Sequence, residues 1–556
     1  MVINDVKYKR PKKGMISLYA AIAGLLIASI YLYISNFKTV NTLITFHNPK
    51  VVYKTYSVAF GDDMPEEYIN KVKESVADMV FNKKPRFEFV EKNADINIEA
   101  TRQSDNDVEI GETLIPVGHI YSLKTSTDEE DIKNMHVYVL DDIYTSFLKE
   151  QYAVEAQKLD NVDALVSKMK ENDSNVGLIS YTDLDYRMRV LKVGDKYYLD
   201  DHGAGVTIKF YVSLKKTNDN LGLNVLTKNI DFGSEATSAE DLLKLNMTGV
   251  VAISRDLGIK INSLKNWDYP AEAIGSFLAD ADLTHVSNEA SFFDDCVINT
   301  GMRFCSKSEY LETLTTSGVD IVELTGNHNN DYGSSKNAES ITATTNLGMK
   351  YFGGGLNNED ASKILYEDVN NTTVAFIGYN WYDTTYKSGA IAWDDDPGAN
   401  EYSEEKMAAN IAEAKANADV VIVDFQFQEC YCYPDGDVIY PVCYKPLSNP
   451  DQEGVFRKAI DLGATIVIGT QAHQPQTYEL YGDGVIFYGL GNLYFDQDIW
   501  IGTRQGLVLT HYFDNGKYIN TKITPIYMDS SLQPNFATQA QGDQLLKLLK
   551  TARESM

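Results

Sequence analysis

The first half of this chain contains no cysteine. All five, Cys296, Cys305, Cys430, Cys432 and Cys443, come later, and no two have the CxxC spacing of a zinc-ligand pair. In an oxidising compartment they would close two short loops, Cys296 with Cys305 and Cys443 with either Cys430 or Cys432, leaving one free thiol. Basic residues are also scarce. Fifty Lys and Arg against 79 Asp and Glu give a formal net charge of -29. That balance excludes a nucleic-acid partner, which needs clustered cations, and electrostatic adhesion of the main body to an anionic bilayer. It suits a solvated acidic exterior. There is no GxGxxG fingerprint and no P-loop, and no tandem repeat or low-complexity tract. Long apolar runs are missing too, with one exception.

That exception is Met15 to Ile34, which carries no charge and follows Lys7, Lys9, Arg10, Lys12 and Lys13. A helix needs about 20 such residues to cross a bilayer core. Tyr19, Tyr31 and Tyr33 are placed as interfacial rings. The positive flank comes first, so the amino terminus is expected in the cytoplasm and the main body outside the cell. A cleaved signal peptide would have a shorter apolar region and a small-x-small site, which Ser35-Asn36-Phe37-Lys38 does not offer. The expected order is a basic cytoplasmic tail (1–14), a single-pass signal anchor (15–35) in a bacterial cell membrane, and an extracellular body.

With 556 residues and 44% hydrophobic composition, that body can bury large cores in more than one domain. Residues 51–225 alternate strand-like and helical patterns, as at Val51–Phe60, Met64–Val80, Ala94–Ala100, Asn161–Glu171 and Val176–Ile179. Residues 238–530 form a second α/β module, and residues 531–556 end the chain in an amphipathic helix. In the second module, apolar runs repeatedly end in polar residues. These are Arg255; Asn288 and Glu289; Asn327, His328 and Asp331; Gln426 and Glu429; Gln471 and His473; and Asn492. Strand carboxyl ends of an α/β sheet converge on one edge, where ligands bind. A helix is expected over Ala271–Ala281, and Trp381 follows the strand that ends near Tyr379.

These stretches resemble the CapA family of capsule polyglutamate biosynthesis proteins, whose fold is similar to that of metallophosphoesterases. The resemblance runs through Met247-Thr248-Gly249 to Arg255, Ser287-Asn288-Glu289, Thr325-Gly326-Asn327-His328 to Gly333, Phe352 to Asn357, Asp419 to Gln428, Gly469 to His473, and Phe487 to Asn492. It implies a layered-sheet α/β domain preceded by a solute-binding-like α/β domain. The departures are specific. Val250 follows Gly249 where the family usually has Asp. Gln426 stands near a customary His, and Gln471-Ala472-His473 replaces His-Pro-His. The set Glu289, Asn327, His328 and His473 then offers donors for at most one divalent ion (Mn2+, Zn2+ or Mg2+), because neutral amide oxygens are weak ligands.

Three functions compete. The first is a part in the synthesis, export or anchoring of an anionic envelope polymer such as poly-γ-glutamate, with the polymer or its synthesis machinery as partner. The second is a metal-dependent hydrolase of phosphoesters or amides, with His328, His473, Glu289 and Asp331 as catalytic groups. The third is a non-catalytic glycan or peptide binder. Its contacts would come from Arg255, Asn288, Asn327, Gln426, Gln471, Asn492 and Trp381, with Trp393 as a further stacking ring.

Overall fold

The computed structural model describes residues 55–556 except 63, 65, 78, 82–83, 100–107, 202–204, 215–220, 230–241 and 431–440. The basic tail and the predicted anchor over 15–35 therefore lie outside the described residues, as does Cys432. No helix among the described residues is long and apolar enough to cross a membrane.

Residues 56–214 build a nine-stranded sheet whose centre is the long strand Val108–His119. Around it lie Val206–Leu214, antiparallel on one side, and Asn175–Ile179, antiparallel on the other. The predicted helix at 161–171 forms as Val162–Glu171, capped by Asn161 through the Ala164 N–H, and buries Leu165, Val166 and Met169.

The second module holds two sheets. In spatial order the first contains Lys350–Phe352, Ile321–Glu323, Leu283–Asn288, Leu242–Val251, Gln505–Asp514, Lys517–Met528 and Pro534–Phe536. Its first four strands are parallel. The second contains Leu365–Val369, Thr372–Asn380, Val420–Gln426, Ile466–Thr470, Gly484–Leu490 and Pro475–Tyr481, with a parallel core. Strand side chains alternate between faces, and the alternation shows how the layers stack. Leu243, Leu245, Met247, Leu283 and Ile321 share one core with Val374, Phe376, Ile422, Ile466 and Phe487 of the other sheet. The opposite faces are helix-covered. Val251, Val286 and Val322 pack with the helix Arg255–Leu264 and its neighbours. Ala375, Ile377, Val421 and Val423 pack with Glu404–Asn417 and Gln452–Leu462. The module is a four-layer αββα sandwich.

Several expectations change. The single sheet edge is in fact the paired edges of two facing sheets. The helix expected over Ala271–Ala281 is broken into the short turns Tyr269–Ala271 and Gly275–Leu278. Gly275 explains the closeness there, since a Cβ on it would meet the Ala271 Cβ at 3.0 Å. The final segment is not all helix, because Pro534–Phe536 joins the first sheet before the helix Gln539–Arg553 begins. The bridges are Cys296–Cys305 and Cys430–Cys443, each with Cα atoms 5.9 Å apart.

The two modules share a buried polar interface. Asp200 accepts from Tyr512 Oη at 2.8 Å and from Lys522 at 2.6 Å, and Tyr197 Oη donates to Asn520 at 2.8 Å. His511 is enclosed nearby, its Nδ1 2.8 Å from Thr521 Oγ1, and burial pushes its pKa down to about 3. Unfolding returns this imidazole to water, where it titrates near 6.5. Between these values the unfolded chain holds the extra proton, so stability is full above the unfolded value and is lost as pH falls. His511 should cost about 3 kcal/mol of stability between pH 7 and pH 4. His511→Phe should flatten that slope in urea titrations run at each pH. An unchanged slope would mean that His511 is not enclosed as described.

Candidate functional site at the sheet ends

Along the inter-sheet faces the filling changes character toward the strand carboxyl ends. Leu283, Ile321, Phe376 and Ile422 are hydrocarbon. The next inward positions are His285, Glu323 and Asp424, opposite Gly378 in the pairing register. Then come Thr325, Asn380 and Gln426, and finally the rim. The Gln426 amide lies 2.6 Å from Asn327 Oδ1 and 2.7 Å from Asn380 Nδ2, and it also touches the Gln471 amide. Asn380 donates to the Thr325 carbonyl at 2.7 Å, which stitches the two sheets together. Gln471 and His473 both adopt left-handed backbone, with φ of 80° and 56°. Such conformations are uncommon for non-glycine residues and gather at functional sites.

His473 is fully enclosed. Asn492 Nδ2 donates to the Thr503 carbonyl at 3.0 Å, which turns Asn492 Oδ1 toward His473 Nδ1 at 3.1 Å. Nδ1 therefore carries the hydrogen, and Nε2 presents a lone pair. That nitrogen stands 3.9 Å from Glu289 Oε2. Burial drives His473 down to about 3, so it is neutral at physiological pH. Burial drives Glu289 up to about 7, and neither of its oxygens has a hydrogen-bond partner.

His328 differs. Burial lowers its pKa, but the Asp331 hydrogen bond and the charges of Glu289 and Asp331 outweigh this, so the net shift is upward. Its Nδ1 is 2.7 Å from Asp331 Oδ2, which also accepts the Phe304 N–H at 2.6 Å. Asp331 thus orients His328 and leaves Nε2 as the outward nitrogen. Replacing Asp331 with Ala should lower the His328 pKa by about one unit or more, because burial then acts unopposed. Imidazole NMR titration reads this directly, and an unmoved pKa would remove Asp331 from that role.

Other predicted residues have different partners. Arg255 does not pair with Glu289. Its Nε donates to Asp496 Oδ1 at 2.9 Å, and its guanidinium lies between the rings of Phe304 and Phe495 at 4.8 and 4.7 Å. Asn288 is a buried loop brace that donates to the Ala290 carbonyl at 3.0 Å. Trp381 is not brought to the seam, because its ring stacks on Phe427 on the helix-covered face. Trp393 is 64% exposed. Val250, at the first-motif position, is buried in an apolar cluster with Ala252, Ala290, Phe304 and Phe495.

Asp496 and Asn380 were missed as site residues, and so were His285 and Asp424. His285, Glu323 and Asp424 form the only trio of His, Cys, Asp or Glu among the described residues whose donor atoms all lie within 4.8 Å of one another. Glu289, His328 and His473 do not meet that spacing. A separate cavity of about 420 Å3 lies between the modules, lined by Thr125, Lys192 and Lys522 among others, and includes none of the rim residues.

A four-layer sandwich with a polar seam at its strand ends defines the class. Residues 244–497 match the bacterial capsule synthesis protein PGA_cap family, and over that segment the chain belongs to the CapA family. It is 33% identical over 219 residues to the capsule biosynthesis protein CapA of Bacillus anthracis, covering 38% of this chain and 49% of that one. It is 29% identical over 222 residues to the PGA biosynthesis protein CapA of Bacillus subtilis (strain 168), covering 40% and 54%. The chain thus spans about half the length of these curated relatives. Among solved structures it is similar to a 5'-nucleotidase precursor from Thermus thermophilus, with 12% identity over 56% of this chain and 58% of that one; the TM-score of 0.30 is too low to carry an argument.

Proposed function

We propose that this chain takes part in the synthesis, export or anchoring of an anionic envelope polymer of the poly-γ-glutamate type. In this reading residues 15–35 tether it to the outer face of the cell membrane, and the seam is a degenerate metallophosphoesterase-like site that handles the polymer or its synthesis machinery. The observation that carries the reading is how the donors are used. Val250 lies among aromatic rings, and Gln426, Gln471 and Asn327 spend their amides on one another. A second metal ion therefore has no carboxylate or imidazole to hold it. The remaining rim favours binding over hydrolysis. Arg255 is committed to Asp496, and Arg303 to the Asp331 carbonyl at 3.0 Å. Polymer carboxylates would then meet the His328 imidazolium, a protonated Glu289 and amide N–H groups.

A second reading rests on Glu289 and His473. An orphaned buried carboxylate facing an imidazole lone pair fits one divalent ion, with His328 and Asn327 closing the set. Such an ion would polarise a bound ester or amide carbonyl. Glu289 and His473 would anchor it, while Asp331 keeps His328 oriented.

The test uses cells whose sole copy is wild type, His328→Ala or His473→Ala, matched for surface abundance. Polymer display should fall at least tenfold in the variants, a flag of about 1.4 kcal/mol in the underlying interaction. Undiminished display would contradict the proposal. Purified chain with added Mn2+ or Zn2+ should show no turnover of phosphoester or amide substrates, and robust turnover would favour the second reading.

A further inference from the structure

The trio one layer beneath the rim serves neither the amide cluster nor the polymer-facing residues. His285, Glu323 and Asp424 come from three strands and two sheets, and each is fully buried. His285 Nε2 is 3.1 Å from Asp424 Oδ2, outside the alignment of a hydrogen bond. Both Glu323 oxygens, both Asp424 oxygens and both His285 ring nitrogens lack a well-formed hydrogen bond, although Ser287 and the Thr325 N–H lie near Glu323. At the next inward position the Thr325 hydroxyl is also unpartnered.

Buried carboxylates without partners cost several kcal/mol each. Protons alone relieve this poorly here. A protonated Glu323 would need an acceptor for its O–H, and an imidazolium His285 would need one for Nδ1–H, yet no aligned acceptor is present. A dication satisfies one lone pair from each residue at once, and its charge balances two carboxylates. We propose that His285, Glu323 and Asp424 bind one divalent transition-metal ion, of the Zn2+ or Mn2+ class, which ties the two sheets together beneath the rim. One imidazole with two carboxylates suits these ions, whereas Ca2+ takes six to eight oxygens and Cu+ prefers sulfur. The mutual spacing within 4.8 Å accommodates bonds of about 2.0–2.2 Å to a common centre. With no exposed ligand, the ion enters during folding and exchanges slowly. The site is independent of the proposed rim function.

Elemental analysis of the purified full chain should find one equivalent of the ion that survives native dialysis against EDTA. Unfolding in EDTA followed by refolding without metal should remove it and lower the melting temperature, and refolding with Zn2+ or Mn2+ should restore both. Asp424→Asn and Glu323→Gln should drop the content below about one tenth of an equivalent, while Glu289→Gln and His473→Ala retain it. If the core variants do not fold, X-ray absorption on the wild type still decides, with the expected shell holding one imidazole and two carboxylates. A metal-free wild type after refolding in Zn2+ and Mn2+ overturns the proposal in favour of a proton-bonded cluster. So does an ion lost with Glu289→Gln but kept with Asp424→Asn, which would place it at the rim.

Discussion

Gly249→Ala should destabilise the second module by more than about 4 kcal/mol and send most of the chain to the insoluble fraction, the scale reserved for the severest steric errors. A Cβ on Gly249 would lie 1.9 Å from the Gly491 carbonyl oxygen and 2.8 Å from its carbon. Both are backbone atoms, so no rotamer change relieves the contact. Nor can the carbonyl withdraw freely, since it accepts the Val250 N–H at 3.0 Å. Gly491 itself has φ of 76° and sits beside the Gln505 carbonyl. The crossing joins the strand that leads to Arg255 with the loop that carries Asn492, so both halves of the rim depend on it. Urea unfolding of the residual soluble protein measures the effect. A cost under about 1 kcal/mol would show that the two backbones do not meet this closely.

Arg255→Ala should cost about 3–5 kcal/mol, the range for removing one partner of a buried ion pair. Asp496 is almost wholly enclosed, and burial already pushes its carboxyl upward more than Arg255 pulls it down. Without Arg255 the carboxylate is left uncompensated, and the Phe304 and Phe495 rings lose the cation between them. Arg255→Lys should recover little, because an ammonium cannot reproduce a guanidinium that bonds a carboxylate while lying between two rings. Adding Asp496→Asn should recover part of the loss, since the orphaned charge is then gone. Thermal unfolding of the two single variants and the double variant forms the cycle, and strictly additive costs would contradict the pairing.

Much of the rim was legible because its grammar is local. An apolar run that stops at Asn327-His328 or at Gln471-Ala472-His473 reads as a buried parallel strand delivering polar side chains. The same rule cannot say which sheet a strand joins, so two facing sheets read as one edge. Asp496 escaped notice because it lies beyond Asn492, past the last recognisable strand end. The long hairpin Gln505–Asp514 to Lys517–Met528 was also overlooked, although its turn is an Asn515-Gly516 pair with φ of 47° and 80°. That pair between alternating residues is the strongest short-range hairpin signal. The deeper trio was hidden for a different reason. Single charged residues in Leu283–Asn288, Ile321–Glu323 and Val420–Gln426 look like early strand ends. Only the facing of the two sheets brings them together. The partner of Cys443 was open between two neighbours, and the fold selects Cys430.

The central claim is that the paired strand ends form one ligand-facing seam. Hydrogen–deuterium exchange of the chain with and without a poly-γ-glutamate oligomer tests it most directly. The account predicts new protection in 325–333 and 470–474, on both sheets together. Protection confined to the cavity around Lys192 and Lys522, with those loops unchanged, would contradict it.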